Sequence, residues 1–208
     1  MFVVHEELQV TGGRQQEAKE RLAGGHQLMG KHGGFSSAYV LRFLGGPGKH
    51  LALRFWKDRA SQEAWGRSED LQAYLKARPE GLYTTPPQIE YYETVAEAEG
   101  KQKSEAAGHA IHIEYHVAGG KQQDFEKREA DFYSLLVEAP GCVNVRLLKF
   151  RGDPSKYIRV ATWLKSEDRE AFTRSDPYRE FNQSAPNTVF LSAPSIAEVL
   201  RRLGRALR

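Results

Sequence analysis

Three side chains able to ligate a metal or move a proton alternate along His112-Ile113-Glu114-Tyr115-His116. In an extended strand alternate residues share a face, so His112, Glu114 and His116 project together. Neutral imidazole and carboxylate suit divalent first-row metals, which makes the run a candidate metal site. Acid–base catalysis and a polar, hydrogen-bonded seam are the competing readings. Ligands at i and i+2 lie roughly 6.8 Å apart by strand rise, so a bound ion would need the side chains to converge. The chain has no glycine-rich phosphate loop, structural-zinc pattern or nucleophile elbow.

The run belongs to an internal repeat. His5-Glu6-Glu7-Leu8-Gln9-Val10-Thr11-Gly12-Gly13 matches His112-Ile113-Glu114-Tyr115-His116-Val117-Ala118-Gly119-Gly120, an offset of 107 (112 − 5) that holds without a gap. Gly34 falls on Gly141, Phe43 on Phe150, Pro47 on Pro154, Trp56 on Trp163, Arg67-Ser68 on Arg174-Ser175, and Ile89 on Ile196. About two dozen identities over roughly 85 positions mark a duplication, which constrains the fold before any local reading. Domains are expected at 1–95 and 109–208, joined by a polar, unpatterned linker at 96–108.

Each copy reads β-α-β-β-α-β, a ferredoxin-like order in the α+β class. In the first, strands are expected at 2–10, 36–43, 50–56 and 89–95, with helices at 15–31 and 59–77. Gly45-Gly46-Pro47-Gly48 turns between the middle strands. In the second, strands are expected at 110–117, 143–150, 157–163 and 196–203, with helices at 122–138 and 166–182. The last strand has helical propensity, but the repeat sets it on the strand-like Ile89-Glu90-Tyr91-Tyr92, so a strand is expected with a helical turn after it. Gly24-Gly25 interrupts the first helix, at about 1 kcal/mol each relative to alanine. Either that helix is broken, or the missing side chains open a pocket beneath it.

The chain has 208 residues, 40% hydrophobic, with a net charge of +3, which suits two ordinary globular domains. The lone Cys142 excludes an internal disulfide and reads as a small core residue in a reducing compartment. The opening residues lack signal-peptide character and no apolar run is long enough to span a membrane, so a cytoplasmic protein with no membrane partner is expected. Arg201, Arg202, Arg205 and Arg208 read as a solvated basic tail, and no nucleic-acid partner is expected.

Three passages resemble the antibiotic biosynthesis monooxygenase domains of the dimeric α/β-barrel superfamily. They are Val-x-x-Gly after the first strand (Val10 to Gly13, Val117 to Gly120), Pro140-Gly141 entering the second, and Trp followed by Ala-aromatic-x-x-Ser (Trp56 with Ala64 to Ser68, Trp163 with Ala171 to Ser175). The resemblance implies an intrachain dimeric α/β barrel, a pseudo-dimer within one chain that could dimerise further. It implies a monooxygenase acting on a small aromatic or polycyclic ligand without a tightly bound cofactor. The alternatives are a heme-binding or heme-degrading protein with non-standard ligation, and a non-catalytic ligand-binding or stress-related protein. The heme branch's tryptophan falls on Trp65 and Phe172, its ligand histidine on Leu75 and Asn182, and its strand asparagine on Glu6 and Ile113. The resemblance places the substrate pocket under the helices. Glu6 would there be a desolvated general base, with Trp65 and Asn182 as catalytic partners. Tyr74, Leu75, Tyr115, Phe172 and Tyr178 would line the pocket.

Overall fold

The computed structural model describes residues 1–46, 48–102, 107–184 and 186–203. Pro47 of the expected turn, residues 103–106 of the linker, and Arg205 and Arg208 of the basic tail lie outside the described residues. The helical turn expected after the last strand lies there too. The strands are β1 (Phe2–Gln9), β2 (Phe35–Phe43), β3 (Lys49–Trp56), β4 (Gln88–Glu99), β5 (His109–His116), β6 (Cys142–Phe150), β7 (Lys156–Trp163) and β8 (Ile196–Arg202). They follow the order β1-β3-β2-β8-β5-β7-β6-β4 and close as a barrel. The α+β, tandem ferredoxin-like architecture is thus present. The chain divides into two compact units, one of Met1–Tyr92 with the stretch from Arg202, the other Glu93–Arg201. Among the described residues no helix is long and apolar enough to cross a membrane.

In the first unit β3 lies between β1 and β2, both antiparallel to it. Even-numbered residues of β1 turn toward the helices, where Phe2 and Val4 pack with Met29, Trp56 and Trp65. Helix α1 (Gln15–Met29) covers this face. In the second unit β7 lies between β5 and β6, and α4 (Gln122–Leu136) buries Phe125, Phe132 and Leu136 against Tyr115, Tyr157 and Trp163. Cys142 is a buried core residue, and burial pushes its thiol up to about 12.

Several expected elements differ. The second helix of each copy is two helices, α2 (Arg59–Gly66) and α3 (Glu69–Lys76), then α5 (Ser166–Thr173) and α6 (Asp176–Ser184). The break falls at the shared Arg-Ser pair, because Ser68 accepts from Leu71 N at 3.1 Å and caps α3. Ser175 takes the same place before α6, accepting from Tyr178 N at 3.4 Å. Strand β4 runs to Glu99, so the first residues expected in the linker are ladder. Ile196–Arg202 is a strand, as the repeat required against its propensity. Gly34 and Gly141 both have positive φ, and a Cβ on them would strike Ser61 and Asp168. That double requirement explains why the repeat shares them.

Neither reading of Gly24-Gly25 holds. Helix α1 is continuous, and the space beside Gly25 is taken by the Tyr74 ring, whose Cζ lies 2.8 Å from where a Cβ would stand. The second unit fills the same volume differently, with the Phe132 and Phe181 rings tilted against each other, centroids 5.1 Å apart, at the positions of Gly25 and Tyr74. Gly24 has nothing within 4 Å of a Cβ. Gly24→Ala should therefore raise stability by about 0.5–1 kcal/mol through helix propensity. Gly25→Ala should lose that gain and fall below wild type. Urea midpoints of the two variants test the contrast, and equal stabilisation would refute the tyrosine contact.

Candidate functional site

Under the helices of the first unit sits a chain of three buried polar groups. Arg54 on β3 lies directly across from Val4, diagonal to Glu6 on β1. Its Nη2 donates to Glu6 Oε2 at 2.5 Å, and its Nε donates to His26 Nε2 of α1 at 3.2 Å. The Arg54 and Glu6 side chains are only 9% and 13% exposed. Burial, reinforced by the Arg54 cation, pushes His26 down to about 3, so the imidazole is a neutral acceptor. Above it Tyr74 donates its hydroxyl to Arg21 O at 3.2 Å, with the Arg21 guanidinium 4.0 Å from its ring centroid. Burial pushes Tyr83 up to about 12.

This corrects the expectation for Glu6. It is not an isolated carboxylate in an apolar pocket but half of an ion pair. Trp65 packs against Trp56 and stands edge-on to His32 at 4.8 Å, while His32 bonds Asp70 at 2.9 Å. Leu75 is 48% exposed. Helix α3 turns Tyr74 inward, and a residue one step on, about 100° around the helix, faces away.

In the second unit the positions of Glu6, His26 and Arg54 hold Ile113, Tyr133 and Ala161. Buried charge returns from other positions. Arg159 on β7 donates from Nη1 to Glu129 Oε2 at 3.0 Å, and Arg128 donates to Glu129 Oε1 at 2.5 Å. Glu129, on α4, has no exposed surface. Asn182 Oδ1 accepts from Arg128 Nη2 at 3.2 Å, and its Nδ2 donates to Tyr178 O at 2.8 Å. Burial opposes the charge on Arg159, but Glu129 and the surrounding phenols sustain it, leaving its pKa above the usual value. Burial and the Glu129 carboxylate likewise hold the Tyr133 phenol well above its ordinary range.

A cavity of about 60 Å³ remains beneath these helices, bounded by Ile113, Ala161, Arg159, Trp163, Phe172 and Tyr178. Two of its walls, Ile113 and Ala161, are the positions from which Glu6 and Arg54 reach inward in the first unit. Phe172 also floors an outer groove of about 370 Å³ between the end of α4 and α5–α6, with Leu135, Ala139, Pro140 and Pro177. The first unit has His32 where this groove has Ala139.

Of the expected site residues, the structure gathers Phe172 and Tyr178 at this cavity. Tyr115 lies behind Arg159, whose guanidinium is 5.5 Å from its ring centroid. Asn182 lies behind Arg128. Glu6, Trp65 and Tyr74 belong to the other unit. Sequence reasoning missed Arg159 and Glu129. Their signals were an arginine inside the apolar run of β7 and a carboxylate on the Phe125-Phe132-Leu136 stripe of α4.

The His112, Glu114, His116 run does not converge. His112 Nδ1 is 4.0 Å from Glu198, whereas His116 Nε2 bonds Glu114 at 2.9 Å and Lys156 pairs with Glu114 at 3.3 Å. Among the described residues no group of three or more His, Cys, Asp or Glu is placed to hold a metal. Heme ligated in the family's manner does not fit either unit. At the two ligand positions Leu75 faces outward and Asn182 is bonded to Arg128 and Tyr178, so no imidazole is presented.

The family model for antibiotic biosynthesis monooxygenase matches residues 1–77 and again 108–184. A comparison with curated proteins finds no match. A crystal structure from Fusobacterium nucleatum, of a protein assigned as a monooxygenase, superposes with a TM-score of 0.82 at 9% identity, covering 97% of this chain and 92% of that one. An anthrone oxidase-like protein gives 0.69 at 13% identity, over 99% and 92% of the two chains. A heme-degrading enzyme from Listeria monocytogenes gives 0.52 at 12% identity, over 97% and 99%. These likenesses establish the fold.

The buried imidazole of the first unit has a consequence for acid stability. Its folded pKa lies below the roughly 6.5 of an unfolded histidine, so the unfolded chain binds the extra proton first. Its stability contribution is full above about pH 6.5 and falls by about 1.4 kcal/mol per unit as pH drops toward 3. His26→Gln should flatten the decline between pH 6.5 and 4.5. Unfolding free energies measured across that window test this, and an unchanged slope would refute it.

Proposed function

The chain belongs to the antibiotic biosynthesis monooxygenase family, and from that premise we propose that its second unit oxidises a small aromatic or polycyclic ligand with molecular oxygen. The supporting observation is the contrast at one location. The second unit keeps a cavity bounded by Ile113 and Ala161, whereas the first commits the same positions to a Glu6–Arg54–His26 chain.

The chemistry needs no resident cofactor when the substrate supplies the electrons. A methylene between aromatic rings becomes a ketone by the balance CH2 + O2 → C=O + H2O. Carbon loses two hydrogens, one oxygen atom enters the product and the other leaves as water. The first barrier is loss of a proton from the activated carbon, which leaves an electron-rich anion able to react with oxygen. A fixed guanidinium beside that anion favours the ionised form and lowers this barrier. Arg159 is assigned this role, which is supported by its ion pair with Glu129. The proton passes to water through the outer groove.

Phe172 lines both groove and cavity, and Tyr178 lines the cavity beside it. Asn182 is a positioning residue, acting through Arg128 on Glu129. Glu6, Trp65 and Tyr74 are assigned to packing and charge neutralisation of the first unit.

Oxygen uptake with anthrone, measured against its spontaneous oxidation, tests the proposal. The protein should raise the initial rate. Ala161→Leu, which fills the cavity with an apolar side chain, should lower kcat/KM at least about tenfold, about 1.4 kcal/mol of transition-state stabilisation, while circular dichroism and Tm show a retained fold. Uptake no faster than the uncatalysed rate, or full activity in Ala161→Leu, would overturn it.

A further inference from the structure

The donors around the second unit's cavity outnumber its acceptors. Only Nη1 of Arg159 is hydrogen-bonded among the described residues, to Glu129, which leaves Nε and Nη2 to the cavity that Arg159 lines. Trp163, 1% exposed, lines the same space and carries an indole N–H with no hydrogen-bond partner among the described residues. Arg169 lines it too, and its buried Nε is likewise without a hydrogen-bond partner among them. Arginine and tryptophan side-chain nitrogens donate and cannot accept. A buried donor without an acceptor is costly, and here Trp163 and Arg169 each present one beside the Arg159 guanidinium at one small space.

The ionic balance points the same way. Arg128, Arg159 and Glu129 together carry +1, while Arg169 pairs with Glu170 at 3.6 Å. The first unit's Glu6 and Arg54 cancel, with His26 neutral beside them. The groove outside the cavity is mostly apolar, walled by Leu135, Ala139, Pro140, Phe172 and Pro177. The Glu138 and Asp168 carboxylates are also on its lining, so an acid head belongs in the cavity and only an apolar body in the groove.

We propose that the second unit is a site for amphiphilic acids, taking a carboxylate or enolate head against Arg159, Arg169 and Trp163 and a flat apolar body in the groove past Phe172. The assignment rests on the second unit being the working half and deepens it by naming the ligand class. The cavity holds a small oxygen-bearing head, and the groove volume falls within the roughly 300–1,000 Å³ typical of small-molecule sites. Two waters would fill the cavity by volume, but water offers donors as well as acceptors and leaves the excess positive charge in place.

Isothermal titration with 2-naphthoate and with neutral 2-naphthalenemethanol separates an acid site from an apolar one without requiring turnover. The acid should bind at least about tenfold more tightly than the alcohol, the scale of a hydrogen bond to a charged group. Arg169→Gln and Trp163→Phe should each weaken naphthoate about three- to tenfold and weaken the alcohol less. Arg159→Met should abolish the preference. Where that variant fails to fold, the other two carry the test. Equal binding of acid and alcohol, or naphthoate affinity unmoved by Arg169→Gln and Trp163→Phe, would overturn the proposal. Naphthoate preference without oxygen uptake on anthrone sinks the oxidase reading alone. Oxidation of neutral substrates with no preference for acids sinks this one alone.

Discussion

A guanidinium placed under a layer of helices must meet a carboxylate there, and both halves of this protein are organised by that constraint. Removing one partner of such a pair leaves an uncompensated buried charge, at about 3–5 kcal/mol. The first unit draws acid and base from neighbouring strands, Glu6 on β1 and Arg54 on β3. The second draws the base from a strand and the acid from a helix, Arg159 on β7 and Glu129 on α4. Both halves meet that requirement, and no residue that meets it in one half sits at the equivalent position in the other.

The steric record runs parallel. Gly25 with Tyr74 and Phe132 with Phe181 fill equivalent volume by opposite assignments of large and small side chains. Interiors packed to crystal density tolerate such exchanges only in compensating pairs. Where the compensation is incomplete, at Ile113 and Ala161 opposite Glu6 and Arg54, a cavity remains. The candidate site is thus a packing deficit surrounded by donors.

Much of the architecture was legible because it depends on period and turn chemistry. The offset of 107 placed both units and settled Ile196–Arg202 as a strand where local propensity favoured a helix. The split second helices were legible in principle, since the serine of the shared Ala-aromatic-x-x-Ser passage is the cap that starts the next helix. The site was much less so. Glu6 could be placed on the helix-facing side of its strand, but its partner Arg54 is 48 positions away and has alanine at its repeat position. Aligning the copies directs attention to matching positions, and the second unit's charges sit at positions where the first has Leu22 and Ala52. Leu75 went astray for a local reason, the direction in which a short helix turns Tyr74.

Placing the acid on a helix gives the second unit a hinge line that the first lacks. Helix α4 cannot lift from its sheet without carrying Glu129 away from Arg159, so its detachment costs a desolvated ion pair as well as apolar area. Helices α5 and α6 are held to the core chiefly through the aromatic contacts of Phe172, Tyr178 and Phe181 with Phe132 and Trp163. Such contacts re-form without stranding charge. Low-energy opening is therefore confined to the α5–α6 edge. Breathing of the second unit uncovers its cavity from the side where the groove already stands, while the charged floor stays fixed.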